Sequence, residues 1–320
     1  MTKTYLVTGG AGFLGNGLVR SLVKQGVHVR ILDNGSRGKI ARLNDIQKDV
    51  EIIEGDIRNS DIVEKACRKV DCVCHLAYVN GTEFFYSKPE LVLDIAINGM
   101  MNLLNGCLKN TVSEFVLASS SEVYQTPPYF PADEKVPLII PDILNPRYSY
   151  GGGKIFSELV IINYGRKNFE RVVIFRPHNV FGPDMGFEHV IPQMILRMGR
   201  LLKDSHDPIL FPIQGTGKET RSFVYIDDFI QGLEIILLKG KHLEIYNVGT
   251  IDEISIEDVA RAIGRLFNRE IRIIPGELQK GGTLRRVPDI SKLAALGYQP
   301  KVPFKDGLKT AFQWYQLHSE

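Results

Sequence analysis

The fold is decided near the start of the chain, where Thr4-Tyr5-Leu6-Val7-Thr8 runs directly into Gly9-Gly10-Ala11-Gly12-Phe13-Leu14-Gly15. The first run is short, apolar and β-branched, which predicts a buried strand. Apolar residues from Phe13 to Val23 then recur at helical spacing, and Val27 to Leu32 is a second apolar run. Two strands joined by one helix predict a parallel βαβ unit that turns at the glycines.

The glycines at positions 9, 12 and 15 suit a turn that binds a dinucleotide. They would allow the tight turn, the approach of the backbone to a pyrophosphate and the close packing of helix on strand. The helix N-terminus would then receive the phosphate charge. Asp33 ends the second strand, where a carboxylate binds a ribose hydroxyl and repels a 2′-phosphate. The pattern predicts NAD rather than NADP, with Arg37 as the one residue that disagrees.

Strands and helices continue to alternate up to about residue 175, which predicts a parallel sheet covered by helices on both faces. After Arg176 the alternation weakens into short strands and helices. The fold class is therefore α/β: a doubly wound sheet of the Rossmann type, followed by a smaller α/β domain. Within the first part, prolines crowd the connection from Gln125 to Asn145, and such a loop is expected to lie over a site.

Composition excludes several classes of protein. The 320 residues are 44% hydrophobic and 24% charged, as in soluble globular proteins, and the net charge is only +2. A broad basic surface for nucleic acid is therefore not expected. No stretch approaches 18 uncharged apolar residues, so no membrane span is predicted, and Met1-Thr2-Lys3 leads into a strand rather than a secretion signal. We expect a cytoplasmic protein that binds neither membrane nor nucleic acid.

Two further stretches carry candidate catalytic residues. In Tyr150-Gly151-Gly152-Gly153-Lys154 the phenol and the ammonium are four residues apart, so a helix would place them on one face. A free tyrosine has a pKa of about 10, and a nearby ammonium and an oxidised nicotinamide would lower it. The run Ser119-Ser120-Ser121-Glu122 follows a predicted strand, at the sheet edge where parallel α/β proteins bind ligands. These hydroxyls and Glu122 are expected to face the substrate.

With these motifs the chain resembles the extended short-chain dehydrogenase/reductase family, in particular its NAD-dependent nucleotide-sugar epimerases and dehydratases. The resemblance covers nearly the whole chain. Besides the motifs above, it rests on Gly55-Asp56-Ile57, His75-Leu76-Ala77, Arg176-Pro177-His178-Asn179-Val180-Phe181-Gly182-Pro183, Arg221-Ser222-Phe223-Val224-Tyr225-Ile226-Asp227-Asp228 and Arg286-Val287-Pro288-Asp289-Ile290-Ser291-Lys292.

The resemblance implies a role for each site residue. Tyr150 would be the catalytic base or acid, Lys154 would lower its pKa, and Ser120 would bond the reacting sugar oxygen, with Glu122 as a fourth catalytic candidate. The expected cofactor-binding residues are Gly9, Gly12, Phe13, Leu14, Gly15, Asp33, Asn34, Ser36, Arg37, Asp56, Ile57, Leu76, Ala77, Tyr78, Asn98, Tyr150, Lys154 and His178. The substrate, a UDP-sugar by first choice, would be held by Ser120, Ser121, Glu122, Tyr150, Asn179, Arg221 and Arg286. No metal site is expected.

The reaction is predicted to be 4-epimerisation through a transient 4-keto sugar. Family 4,6-dehydratases carry Asp-Glu where this chain has Ser121-Glu122, and family decarboxylases of UDP-glucuronate carry an arginine where it has Asp184. Decarboxylation, dehydration and net oxidation or reduction of a keto sugar stay open as alternatives, as does a non-catalytic NAD-binding regulator. The identity of the sugar and nucleotide, and the roles of Tyr78, Asn80 and Glu83, are also open.

The resemblance also implies the organisation of the molecule. Residues 1–175, joined by about 225–250, would form the NAD-binding domain. Residues 176–224 and 251–320 would bind the nucleotide sugar. Helices over Pro89 to Leu108 and Ser149 to Tyr164 would pair with those of a second copy in a homodimer.

Overall fold

The computed structural model describes residues 3–203 and 207–318. The expectation that the chain starts without a secretion signal rests partly on Met1 and Thr2, which lie outside the described residues. The strands are β1 (Thr4–Thr8), β2 (His28–Asp33), β3 (Val50–Glu54), β4 (Cys72–His75), β5 (Glu114–Ala118), β6 (Arg171–Pro177), β7 (Val180–Phe181), β8 (Ile209–Pro212), β9 (Thr220–Ser222), β10 (Val224–Tyr225), β11 (Glu244–Val248), β12 (Glu253–Ser255), β13 (Ile271–Ile274) and β14 (Arg285–Arg286). The helices are α1 (Phe13–Lys24), α2 (Ser60–Cys67), α3 (Thr82–Ser87), α4 (Pro89–Asp94), α5 (Met100–Lys109), α6 (Tyr148–Asn168), α7 (Val190–Leu201), α8 (Ile226–Lys239), α9 (Ile256–Leu266), α10 (Ser291–Ala294) and α11 (Phe304–Leu317).

The main sheet has seven strands in the order β11-β6-β5-β4-β1-β2-β3, and every neighbouring pair is parallel. Side chains alternate between its two faces, since Leu6 enters one hydrophobic core while Tyr5 and Val7 enter the other. Helices α2, α5 and α6 contribute to the first core, and α1 and α8 to the second. The predicted doubly wound parallel α/β fold is confirmed.

The elements after β6 build a third core. Helices α7, α9 and α11 pack against the parallel pair β8 and β13 around Ile195, Phe211 and Ile263. A three-stranded sheet of β12, β9 and β14 lies next to them. It carries Arg221 on β9 and Arg286 on β14, and the two residues are register partners. This sheet therefore places two predicted substrate-binding arginines side by side.

Two elements differ from the sequence prediction. The pattern predicts no strand at Glu244–Val248, yet this segment pairs in parallel with β6 and forms an edge of the main sheet. The helix predicted over Pro89 to Leu108 is interrupted by a π-helical segment, Ile95–Gly99, between α4 and α5. The pairing of β11 depends on a strand that is distant in sequence, and the π-helical segment adds one residue to a single helical turn. Neither feature changes the local periodicity of apolar residues.

The stretch Pro89–Lys109 is long and apolar enough, by length and composition, to cross a membrane. Half of its most apolar window is buried inside the molecule, with Val92, Leu103 and Leu104 in the first core. A core helix passes the same test, so the stretch is weak evidence for a span.

A buried ion pair joins the helix that carries the catalytic candidates to the sheet. Arg176 on β6 donates to both carboxylate oxygens of Glu158 on α6, at 2.9 and 2.6 Å, and the two side chains are only 2% and 5% exposed. A third guanidinium nitrogen donates to the hydroxyl of Tyr124 at 2.8 Å, and Tyr124 donates to Asn247 on β11. The network therefore fixes α6 against two strands.

We expect Glu158→Gln to lower the free energy of unfolding by about 3–5 kcal/mol, because it leaves the Arg176 charge buried without a counter-charge. Urea denaturation followed by circular dichroism measures this. Glu257→Gln, in the exposed pair Arg261–Glu257, is the matched control and should change the free energy by about 0.5 kcal/mol or less. Equal effects of the two substitutions would show that the buried pair does not anchor α6.

Candidate active site

A groove runs along the carboxyl ends of the central strands. Its larger part is a cleft of ≈ 500 Å³, which continues into a smaller pocket of ≈ 90 Å³. Both are lined by Gly9, Gly12, Ser36, Arg37, Leu76 and Tyr78. The smaller pocket adds Asp33, Asn34, Asp56, Ile57 and Ala77, whereas the cleft adds Phe13, Leu14, Gly15, Ser120, Ser121, Glu122, Tyr150, Lys154, Asn179 and Arg286. Most predicted cofactor and substrate residues thus meet in one groove.

The glycine turn between β1 and α1 has no room for side chains. Gly9 has a φ of +74°, and a Cβ there would lie 2.7 Å from the amide nitrogen of Ala77. A Cβ on Gly15 would lie 2.0 Å from the carbonyl oxygen of Gly9. Helix α1 begins after Gly12 without a side-chain cap, so its first amides remain available as donors. This surface fits a pyrophosphate.

Asp33 lies at the bottom of the smaller pocket. One carboxylate oxygen accepts from the amide of Ala11 and the other from the amide of Gly35, both at 2.9 Å. These bonds hold the carboxylate where further lone pairs can accept ribose hydroxyls. Arg37 is engaged elsewhere, because it donates to the carbonyl of Asn80 at 2.8 Å and pairs with Glu188 at 3.2 Å. The residues present therefore fit NAD.

Two of the predicted cofactor residues do not line the groove. Asn98 is exposed on the π-helical segment and donates to Asp94 at 2.6 Å. His178 is buried, with its Nε2 3.1 Å from the amide oxygen of Asn247, and burial lowers the pKa of its imidazole to about 3. Within residues 3–203 and 207–318, no group of three or more histidine, cysteine or acidic side chains is placed to hold a metal ion.

Tyr150 and Lys154 lie one turn apart at the start of α6, and both are buried. The Lys154 ammonium donates to the carbonyl of Ala118 at 2.8 Å and lies 5.9 Å from the centre of the Tyr150 ring. Burial lowers the pKa of Lys154 to about 7. Burial raises the pKa of Tyr150 to about 12, and a hydrogen bond with Ser120 acts in the opposite direction. The phenol and the serine hydroxyl together can bond one substrate oxygen.

Glu122 is surrounded by arginines. Its carboxylate is 2.9 Å from Arg286 and 3.8 Å from Arg147. Burial alone would raise the pKa of Glu122, but these two guanidinium groups hold it below its ordinary value. Arg221 lies behind them, bonded to the carbonyls of Thr220 and Thr283, and burial lowers its pKa to about 10. Three guanidinium groups surround one carboxylate, so this end of the cleft has an excess of positive charge that an anionic ligand can balance.

Arg147 is a site residue that sequence reasoning missed. It directly precedes α6 in helical backbone conformation, three residues before Tyr150. Residues three apart lie on one helix face, so this spacing could have identified it. Its Nε atom is buried without a hydrogen-bond partner.

The negative charge of Asp184 is compensated within the chain. Arg42 donates to both of its carboxylate oxygens, each at 2.5 Å. Asn179, which lines the same cleft, has a φ of +37° and donates to the carbonyl of Ser222. Because Arg42 balances its charge, an aspartate where family decarboxylases carry an arginine argues less strongly against a substrate carboxylate here.

Each glycine between Tyr150 and Lys154 faces a different large side chain. A Cβ on Gly151 would lie 2.6 Å from the amide nitrogen of Gln125, and one on Gly152 would lie 3.2 Å from Ile140. A Cβ on Gly153 would lie 2.3 Å from the hydroxyl of Tyr78. The triplet therefore makes room for side chains from other segments, among them those of Tyr78 and Gln125.

Comparison with known proteins agrees with this geometry. Residues 5–249 match the family model described as the NAD dependent epimerase/dehydratase family. A UDP-N-acetyl-alpha-D-glucosaminuronate decarboxylase of Bacillus cytotoxicus is 30% identical, over 99% of this chain and 98% of the relative. A putative UDP-glucose 4-epimerase of Methanocaldococcus jannaschii is 32% identical, over 97% of both chains. DesIV, a dTDP-glucose 4,6-dehydratase of Streptomyces venezuelae solved with NAD, superposes with a TM-score of 0.87 and 28% identity, over 98% and 97% of the chains.

The chain belongs to the NAD-dependent epimerase/dehydratase family, within the extended short-chain dehydrogenases/reductases. It is accordingly an NAD-dependent enzyme of the nucleotide-sugar epimerase, dehydratase and decarboxylase group, and not a non-catalytic regulator.

We expect Gly15→Ala to raise the dissociation constant of NAD by about 10- to 100-fold, because the added methyl group would collide with the backbone of the phosphate turn. Isothermal titration calorimetry measures the constant. Gly199→Ala is the matched control, since a Cβ on Gly199 of α7 would meet no atom within 4 Å. Unchanged NAD binding by Gly15→Ala would contradict the assignment of this turn.

Proposed function

We propose that the enzyme is a nucleotide-sugar 4-epimerase that acts through a transient 4-keto sugar. The observation that carries this proposal is the state of Glu122. Its carboxylate pairs with Arg286 and its pKa is lowered, so it is a poor proton donor, and its neighbour Ser121 has no carboxyl group. Asp184 and Glu188, which also line the cleft, pair with Arg42 and Arg37. The part of the cleft that the structure describes thus holds groups suited to oxidising a hydroxyl, and its lining carboxyl groups are paired with arginines.

In this proposal Ser120 and Tyr150 bond the C4 hydroxyl of the sugar, and Tyr150 takes its proton. The Lys154 ammonium favours the phenolate that this transfer requires. NAD would be held by the glycine turn and Asp33, and it would supply the hydride acceptor and donor for C4. Tyr150 then gives the proton back to the oxygen after the keto sugar has presented its other face. Buried walls such as Phe85 and Met185 keep the cleft partly free of water.

We infer that Arg147, Arg221 and Arg286 hold the diphosphate of the substrate. Guanidinium groups match phosphate geometry, and the excess of cations around Glu122 supports an anionic ligand there. A UDP-sugar is our first choice, because two of the relatives described above are named for UDP-sugars. Asn179, which lines the cleft, would contact the same substrate.

Decarboxylation of a nucleotide hexuronate is the second candidate. Arg42 neutralises Asp184, and Arg147 adds a third cation near Glu122 that could receive a carboxylate. The Bacillus cytotoxicus relative is named as such a decarboxylase. This reaction also begins with oxidation at C4, so it would use the same Tyr150 and Lys154.

The assembly and location stay proposals. Exposed apolar residues on the outer faces of α4 to α6, namely Leu93, Ile97, Leu159 and Tyr164, support a homodimer built on these helices. A cytoplasmic location is supported only by the sequence. We retain residues 1–175 with about 225–250 as the NAD-binding domain, and 176–224 with 251–320 as the sugar-nucleotide domain. The parallel pairing of β11 with β6 supports this division.

The reaction is tested by incubating the protein and NAD with UDP-, GDP-, CDP- and dTDP-hexoses and UDP-hexuronates, with products followed by NMR. We expect one pair of C4 epimers to interconvert without a stable keto product. Tyr150→Phe should reduce the rate by about 10²- to 10⁴-fold, because proton transfer is lost. Tyr148→Phe, a tyrosine that does not line the groove, is the control and should keep the wild-type rate.

Three outcomes would contradict epimerisation. Release of carbon dioxide from a hexuronate alone would establish the decarboxylase, and a stable keto product would indicate dehydration or net oxidation. If the wild-type protein converted none of these sugars, while both it and Tyr150→Phe bound NAD equally well, nucleotide sugars would be rejected as the substrate class.

A further inference from the structure

We propose that Tyr78 is a positioning residue, whose ring holds the Lys154 ammonium beside Tyr150 and for which Gly153 provides the space. The inference deepens the proposed function, since it concerns the same catalytic pair. Tyr78 follows β4, and its position is one that the sequence comparison with the family leaves unexplained.

The ammonium of Lys154 is held from two directions. Its nitrogen lies 3.8 Å from the centre of the Tyr78 ring and donates to the carbonyl of Ala118 at 2.8 Å. A cation this close to an aromatic face is attracted by the ring quadrupole, more strongly where water is absent. The loop after β4 and the end of β5 therefore fix the end of a side chain that starts on α6.

Tyr78 also touches the catalytic phenol. Its ring stands at 90° to that of Tyr150, with the centroids 5.1 Å apart. Phe85 stacks on Tyr150 at 4.8 Å and 22°. The segment between β4 and α4 thus packs two aromatic rings against Tyr150, and one of them, Tyr78, also contacts the Lys154 ammonium.

The hydroxyl of Tyr78 is buried without a hydrogen-bond partner, in the space that a side chain at position 153 would occupy. A buried, unpaired hydroxyl destabilises a protein. The hydroxyl therefore does not explain why a tyrosine fits here, whereas the contacts of the ring with Lys154 and Tyr150 do. A glycine is required at position 153 because a Cβ there would lie 2.3 Å from this hydroxyl and 2.7 Å from the Cβ of Ala96.

Few other charges face Lys154. Glu158 lies one turn further along α6, but Arg176 pairs with it. His75 at the end of β4 remains neutral, because burial lowers its pKa to about 3. Tyr150 is a further titratable neighbour, with its ring centre 5.9 Å from the ammonium. Since burial lowers the pKa of Lys154, a nearby aromatic face that favours the ammonium helps to keep the charge near neutral pH.

The proposal is tested by NMR titration of protein labelled with ¹³C at the lysine ε carbons, with the Lys154 signal assigned from its loss in Lys154→Met. We expect Tyr78→Leu to lower the pKa of Lys154 by about 0.5 to 1.5 units, because leucine keeps water out but has no aromatic face. Tyr78→Phe should keep the wild-type value within about 0.3 units, since it retains the ring. Tyr86→Leu, at a more exposed tyrosine of the same segment, is the control.

A second variant guards against misfolding of Tyr78→Leu. Gly153→Ala should displace the Tyr78 ring and also lower the pKa of Lys154. Adding Tyr78→Phe should restore part of that loss, because it removes the closest contact and leaves the Ala96 Cβ at 2.7 Å and the nearest ring atom at 3.6 Å from the new methyl group. An unchanged pKa of Lys154 in Tyr78→Leu, or an equal fall in Tyr78→Phe, would overturn the proposal. No sugar is present, so this result is independent of the proposed reaction.

Discussion

The site depends on keeping one ammonium group, that of Lys154, out of water and next to a phenol. Burial disfavours the charge, as the lowered pKa shows, so the surrounding chain has to offset it. The carbonyl at the end of β5, the Tyr78 ring and, one helical turn away, Glu158 all do so. Arg176 in turn balances Glu158 and fixes α6 on the sheet. The same set of contacts therefore serves both the fold and the chemistry.

Charge is also arranged locally at the substrate end of the groove. The chain as a whole carries only +2, yet Arg147, Arg221 and Arg286 converge on a single carboxylate, Glu122. Two anionic ligands can be bound without a basic surface, one by backbone amides of the glycine turn and one by these guanidinium groups. The arginines also keep Glu122 ionised, and this favours a reaction that needs no additional acid.

Much of this could be predicted from the sequence, because the decisive signals are local. The glycine turn, Asp33 and the spacing of Tyr150 and Lys154 lie within single strand-to-helix units, where periodicity and motif identify them. What could not be predicted depends on contacts between distant segments. Tyr78 meets Gly153, Gln125 meets Gly151, and Arg42 pairs with Asp184 across the groove.

Local pattern also misleads where the backbone departs from regular geometry. Asn98 falls on the π-helical segment, which leaves its side chain exposed and bonded to Asp94 rather than in the groove. The spacing of Tyr150 and Lys154 identifies the pair, but it does not reveal that the three glycines between them admit three side chains from other segments. In both cases the residue types are informative, but tertiary packing decides which side chains Asn98 and the glycines contact.

In the proposed reaction, this site oxidises and reduces one carbon of a nucleotide sugar with the same hydride. The most direct measurement follows a nucleotide hexose carrying deuterium at C4, with the product examined by NMR and mass spectrometry. The account predicts that deuterium remains at C4 while the configuration at that carbon inverts. Loss of the label to solvent, or its retention without inversion, would contradict the account.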